Sequence, residues 1–215
     1  MSIVHHPGEE LLIAYAAGAS DEAVSLIVAT HLALCPDCRR EVANAESAGG
    51  ALLEDMQPVH LSDAALPRVL SRLNGAEPKP APRAASRNGF KAPEPLRSYL
   101  GGDLDQVRWR PVAKGLAYRP ILKRGRTRAQ LVKSAPGHGV SLHTHKGEEF
   151  SLVLTGGYTD ANGHYLRGDL QTATPETLHH PIADGDDDCI ILAVNDAPLR
   201  FKSPAMALLA KVFGF

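Results

Sequence analysis

The sequence predicts a multidomain α and β chain: a helical bundle at the N-terminus, then an antiparallel β-sandwich or barrel. Three observations predict it. Residues 7–73 carry helical periodicity with recognisable caps and stops. Residues 76–95 contain Pro78, Pro80, Pro82, Pro93 and Pro95 and almost no large apolar side chain, the composition of an extended linker. From Leu96 onward short apolar runs alternate with Gly- and Asp-rich turns, the rhythm of a sandwich or barrel. The expected division is therefore a helical domain at 1–75, a linker at 76–95 and a β-domain at 96–202, with a short tail at 203–215.

Composition narrows the function classes. The 215 residues are 44% hydrophobic and 22% charged, ordinary for a globular protein, and the formal net charge is −1. No overall field recruits nucleic acid or an anionic membrane, so direct DNA binding is not expected. The first residues lack a signal peptide's basic stretch and apolar core, and no apolar run is long enough to span a bilayer. The expected location is cytoplasmic, without a membrane partner.

In the helical half, Leu11, Leu12, Tyr15 and Ala16 recur at helical spacing behind Pro7, and Gly18 offers a stop. Ser20 reads as the N-cap of a second helix, with Asp21 and Glu22 in its first turn, ending near Leu34. A third helix is expected from Pro36 or Cys38 to about Asp55. Ser62 caps a fourth, in which Leu66, Val69, Leu70 and Leu73 share a face and Asn74-Gly75 ends it. In the β-half, residues 129–132, 150–154 and 189–194 read as strands, with turns at Thr155-Gly156-Gly157 and Asp184-Gly185-Asp186.

The cysteines are Cys35, Cys38 and Cys189. An odd count in a reducing compartment argues against a disulfide framework. His31, Cys35 and Cys38 have the spacing H-x3-C-x2-C. On a helix, His31 and Cys35 share a face, and the x2 gap brings Cys38 back to the same point at the next helix start. Thiolates and imidazole suit Zn2+, which prefers four tetrahedral N/S ligands in structural sites. The adjacent helix N-terminus, Arg39 and Arg40 are expected to favour thiolate. His5 and His6 both precede the first helix as candidates for the fourth ligand, and His6 is favoured. The same residues also fit a Cys-x-x-Cys redox pair, or two buried thiols beside an unrelated histidine. Cys189, in an apolar strand, reads as an inert buried thiol.

A second cluster follows the spacing G-x5-H-x-H-x3-E-x6-G, from Gly137 through His143, His145 and Glu149 to Gly156. Strand period two puts His143 and His145 on one face. Gly147 permits a turn, and Glu149 keeps the same parity on the returning strand. A further ligand is expected from His179-His180-Pro181, after Gly168-Asp169. Such donors suit Zn2+ or another divalent transition metal. His60 and His164 read as exposed loop residues, and His138 as a turn residue.

These two patterns carry a family resemblance. The second is similar to the first cupin motif at every defining position, which implies a cupin-like barrel. The first, behind a short amphipathic helix and an N-terminal His, resembles the zinc anti-sigma domain. In that order the two modules resemble the ChrR-type anti-sigma factors along essentially the whole chain. The stretches Asp105-Gln106-Val107-Arg108-Trp109-Arg110 and Asp196-Ala197-Pro198-Leu199-Arg200-Phe201 also look like that family's. The resemblance implies His179 rather than His180 as the barrel's fourth ligand. It also implies a regulator rather than an enzyme: helices that bind an extracytoplasmic-function sigma factor in a 1:1 complex, released when the cupin-like domain responds to oxidative stress, singlet oxygen in particular. Helix one (Leu11, Leu12, Tyr15) and helix four either offer apolar area beyond what their own core covers or only pack these faces on each other. The alternative is a metal-dependent cupin enzyme of dioxygenase or isomerase type with an accessory zinc module.

Overall fold

The computed structural model describes residues 2–73 and 91–202. Most of the segment read as a linker, the Asn74-Gly75 stop and the 203–215 tail lie outside the described residues. Four helices open the chain: α1 (Glu9–Ala16), α2 (Glu22–Leu34), α3 (Pro36–Glu54) and α4 (Ala65–Leu73). Gly8 caps α1, so Pro7 precedes the helix rather than sitting in its first turn. Asp21, not Ser20, caps α2: its Oδ1 accepts from Ala23 N at 2.9 Å and Val24 N at 3.0 Å. A carboxylate is the stronger acceptor there and also meets the helix dipole favourably. The Ser62 carbonyl accepts from Ala65 N at 2.8 Å at the start of α4.

Within residues 91–95, the described end of the segment read as a linker, one side chain is anchored. Ala92 is buried and its N–H donates to Asp103, and α5 (Glu94–Leu100) begins directly after it and packs on α2. Among the described residues eleven strands follow: β1 (Arg110–Ala113), β2 (Leu116–Arg124), β3 (Thr127–Ser134), β4 (His143–His145), β5 (Glu149–Thr155), β6 (Gly157–Asp160), β7 (Gly163–Leu166), β8 (Leu170–Ala173), β9 (Ile182–Asp184), β10 (Cys189–Asn195) and β11 (Leu199–Phe201). All pair antiparallel. The large sheet has the order β1-β2-β3-β10-β5-β8, and smaller sheets of β11-β4 and β7-β6-β9 complete the cupin-like domain. β5 is buried at every position, the mark of a strand covered on both faces. His164 stands on β7, exposed, rather than in a loop.

The two halves share a core, which the sequence reading did not anticipate. Ala23, Leu26 and Ile27 of α2 enter one apolar cluster with Leu96, Leu131, Leu152, Leu192 and Val194 of the β-half. The opposite side of α2, Val28 and Leu32, packs with Leu12, Cys35, Cys38 and Val42 in a helical cluster. α2 is thus apolar over most of its circumference because it is covered on two sides, with Ala33 left exposed. Polar contacts fix its first turn: Thr127 donates to Asp21 Oδ2 at 2.7 Å, while Arg124 (2.6 Å) and Tyr99 (3.0 Å) donate to Glu22.

The apolar faces of α1 and α4 differ. Leu12 is buried, and Leu11 and Tyr15 pack against the helical cluster, so α1 spends its apolar face inside the domain. No residue of α4 is buried: Leu66, Val69, Leu70 and Leu73 remain 67%, 56%, 49% and 72% exposed. Earlier in the sequence, Leu52, Leu53, Met56, Val59 and Leu61 are exposed as well.

Candidate metal centres

In the helical half, His31 sits in the last turn of α2, and Cys35 serves both as the C-cap of α2 and the N-cap of α3. That dual cap, with Pro36 at the first helical position, reverses the chain and brings Cys38 beside His31. His31 Nε2 lies 3.3 Å from Cys38 Sγ, and His6 Nδ1 lies 3.5 Å from Cys35 Sγ and 3.3 Å from Cys38 Sγ. One donor atom from each of His6, His31, Cys35 and Cys38 lies within 4.8 Å of the other three. His5 turns away to pack against Tyr165, with ring centroids 4.5 Å apart and the rings tilted by 42°.

The electrostatics of this cluster correct one expectation. Burial, then the neighbouring Cys35, pushes the Cys38 thiol up to about 12 rather than down. Arg39 and Arg40 do not offset it, because Arg39 donates to the Leu32 carbonyl and Arg40 pairs with Asp37. Burial likewise holds His31 down to about 4, hence neutral, and its Nδ1–H donates to the Gly168 carbonyl at 2.9 Å. Nε2 is therefore a bare lone pair aimed at sulfur. Two cysteine sulfurs and two imidazoles converging on one point form a donor set that fits Zn2+. All three cysteines are free, and burial pushes Cys189 up to about 12 as well, consistent with an unreactive thiol.

In the barrel, β4 points His143 and His145 inward, both buried, with Thr144 between them only partly covered. Glu149 begins β5, and His179 joins through a bridge in which it exchanges two 3.0 Å backbone hydrogen bonds with His143. β4 pairs with β11 rather than β5, so the "returning strand" lies in a different sheet and the four side chains span the sandwich. Gly147 keeps its place by close approach rather than by an unusual turn: a Cβ there would stand 2.0 Å from Asp196 Oδ1. His180 is exposed, whereas His179 is buried.

One donor atom from each of His143, His145, Glu149 and His179 again lies within 4.8 Å of the others. His143 Nδ1–H donates to Ser141 O at 2.8 Å, and His179 Nδ1–H donates to Asp160 Oδ2 at 2.8 Å. Both rings are held neutral: burial brings His143 down to about 3, and it lowers His179 against the opposing pull of Asp160. Their two Nε2 lone pairs then face each other at 3.0 Å, a repulsive contact that a cation between them would convert to attraction. Among the described residues His145 Nδ1 is buried without a hydrogen-bond partner, 3.9 Å from Glu149 Oε2, and burial pushes Glu149 up to about 7. This donor set fits a divalent transition metal.

Sequence reasoning missed the supports behind the donors. Asp160 reads as the start of an Asp-Ala-Asn-Gly turn, and it does accept from Asn162 N. Its other oxygen holds His179 and Gln171, and Gln171 in turn accepts from Tyr158 at 3.0 Å. Beside the cluster lies a small cavity of about 50 Å³, walled chiefly by apolar residues such as Val132, Ile191 and Phe201.

Comparison with known proteins gives concordant results. A profile of the ChrR cupin-like domain matches residues 99–199. The anti-sigma-E factor ChrR of Cereibacter sphaeroides is 42% identical over 203 residues, 94% of each chain. Among solved structures, that of Rhodobacter sphaeroides SigE in complex with the anti-sigma ChrR aligns over 91% of this chain and 100% of that one. Its TM-score is 0.78 at 38% identity. An RmlC-like cupin protein of Ralstonia eutropha aligns over 48% of this chain and 71% of its own, with a TM-score of 0.41 at 18% identity.

Proposed function

Since this chain belongs to the ChrR family of anti-sigma factors, we propose that it binds and inhibits an extracytoplasmic-function sigma factor as a 1:1 complex and releases it under oxidative stress, singlet oxygen in particular. In this reading residues 1–75 bind the sigma factor, 76–95 connect, and the cupin-like domain at 96–202 senses. It acts in the cytoplasm and not on DNA; none of its described helices is long and apolar enough to cross a membrane.

The observation that carries the reading is α4. Its Leu66, Val69, Leu70 and Leu73 follow the i, i+3, i+4, i+7 pattern of a helix that docks in an apolar groove, and none of them is buried within the chain. An exposed apolar stripe of that length on one helix face is the pattern of a protein-binding face.

His6, His31, Cys35 and Cys38 would hold Zn2+, which keeps buried thiols deprotonated and ties the N-terminal segment to α2 and α3. His143, His145, Glu149 and His179 would hold Zn2+ or another divalent transition metal, with Asp160 fixing the tautomer of His179. The test is capture of a co-expressed sigma factor by the Cys35→Ser/Cys38→Ser chain. Loss of both bound zinc and sigma is expected; normal capture by a zinc-free variant would remove the site's role.

A further inference from the structure

The helical metal centre is not built by the helical half alone. The turn between β7 and β8 reaches it at two points. The Gly168 carbonyl accepts from His31 Nδ1–H at 2.9 Å, a buried contact between residues 137 apart in sequence. Next to it, Asp169 is buried, and its Oδ1 accepts from the backbone N–H groups of Val4 (2.8 Å) and His5 (2.9 Å), the residues leading into His6. Leu170 N donates to His5 O at 3.0 Å, so the approach to His6 lies against the first residue of β8. Asp169 Oδ2 accepts from Leu166 N at 2.8 Å and so fixes the turn itself. The turn has no spare room: a Cβ on Gly168, whose φ is +98°, would stand 2.6 Å from Ile3 Cδ1.

We infer that Gly168 and Asp169 of the barrel are positioning residues of the helical metal centre, one orienting the His31 ring and the other placing His6. Groups behind a metal's ligands fix ring orientation and tautomer, and losing one typically lowers metal affinity about 10- to 100-fold. The inference rests on the assignment of His6, His31, Cys35 and Cys38 as metal ligands and adds a barrel contribution to that site. It makes zinc retention among the helices a property of the whole chain: a displaced β7–β8 turn loosens two of four ligands.

The test is cobalt(II) titration of the full-length chain followed by displacement with zinc. A thiolate-to-cobalt charge-transfer band reports the sulfur-containing site alone, because the barrel cluster has no sulfur donor. Asp169→Ala is expected to lower zinc affinity about 10- to 100-fold and to shift the cobalt d–d bands away from the parent's. Asp169→Asn, which keeps one oxygen for Val4 and His5, is expected to lose less. Wild-type affinity and d–d bands in both variants would overturn the inference, as would absence of the thiolate band in the parent chain, which would also remove the ligand assignment. If instead Asp169→Ala weakens zinc while the parent fails to capture a sigma factor, the positioning role stands and the anti-sigma reading falls.

Discussion

The exposed face of α4 gives a quantitative test of the anti-sigma reading through the double substitution Leu66→Ala/Leu73→Ala. These side chains are 67% and 72% exposed, so they contribute little to the free chain. Surface substitutions of this kind change stability by about 0.5 kcal/mol or less, and alanine is a strong helix former. Fully burying a leucine is worth about 1.5–3 kcal/mol, and roughly two-thirds of each side chain remains to be covered on docking. Each truncation then costs about 1–2 kcal/mol of binding, and the pair about 2–4 kcal/mol, a loss of roughly 30- to 1,000-fold in Kd. Titration calorimetry against the purified sigma factor measures the loss, and a thermal melt of the free variant supplies the control. A Kd within about twofold of the parent's would refute docking through α4. A large fall in Tm would show that the stripe belongs to the chain's own core instead.

Three further outcomes are expected. Ile27→Ala, at a fully buried position where α2 meets the large sheet, should destabilise the chain by about 2–5 kcal/mol in denaturant unfolding. A much smaller loss would mean that α2 is not docked on the barrel in solution. Asp160→Asn should reduce metal affinity at the barrel cluster by about 10- to 100-fold in chelator competition, leaving the thiolate-containing site unaffected. In chain stripped of metal, Glu149 has a folded pKa raised by burial to about 7 from an ordinary 4.5. Its protonated form is the one the fold accepts, so its contribution is complete below about pH 4.5 and is lost as pH rises through 7, a change of about 3 kcal/mol. The urea midpoint of Glu149→Gln should therefore fall less than the parent's between about pH 5 and pH 8. Identical pH profiles would show that Glu149 is solvated in the metal-free protein.

Both donor clusters were legible because their spacings are local consequences of secondary structure. His31 and Cys35 are one helical turn apart, and His143 and His145 are one strand repeat apart, so periodicity alone puts each pair on a face. Placement of β3, β5 and β10 was legible for the same reason, since each is an apolar run bounded by turn residues. What sequence could not supply was pairing between distant segments. Nothing local to His31 announces that a carbonyl 137 residues on will accept its proton. Asp160 and Asp169 both sit in turn-forming contexts, where an aspartate ordinarily needs no other explanation. The thiolate expectation failed chiefly because burial, which sequence does not print, raises the Cys38 thiol, while the fold sends Arg39 and Arg40 to Leu32 and Asp37.

One signal was present and under-read. From Glu22 to Leu34 the chain runs EAVSLIVATHLAL, apolar over more of its circumference than an amphipathic helix at the edge of a small bundle needs. Such a helix must be covered on two sides, and α1 and α3 can cover only one. The barrel covers the other, through Ala23, Leu26 and Ile27, while Asp21 and Glu22 pin the first turn and His31 pins the last. α2 is therefore fixed to the β-domain at both ends and along its length. Two of the four sulfur-site donors, His31 and Cys35, ride on its final turn and C-cap. A rearrangement of β3, β5 or β10 cannot leave α2 undisturbed, because close-packed interiors transmit displacement rather than absorb it. In the function proposed above, this shared helix is the mechanical connection between the half that senses and the half that binds the sigma factor.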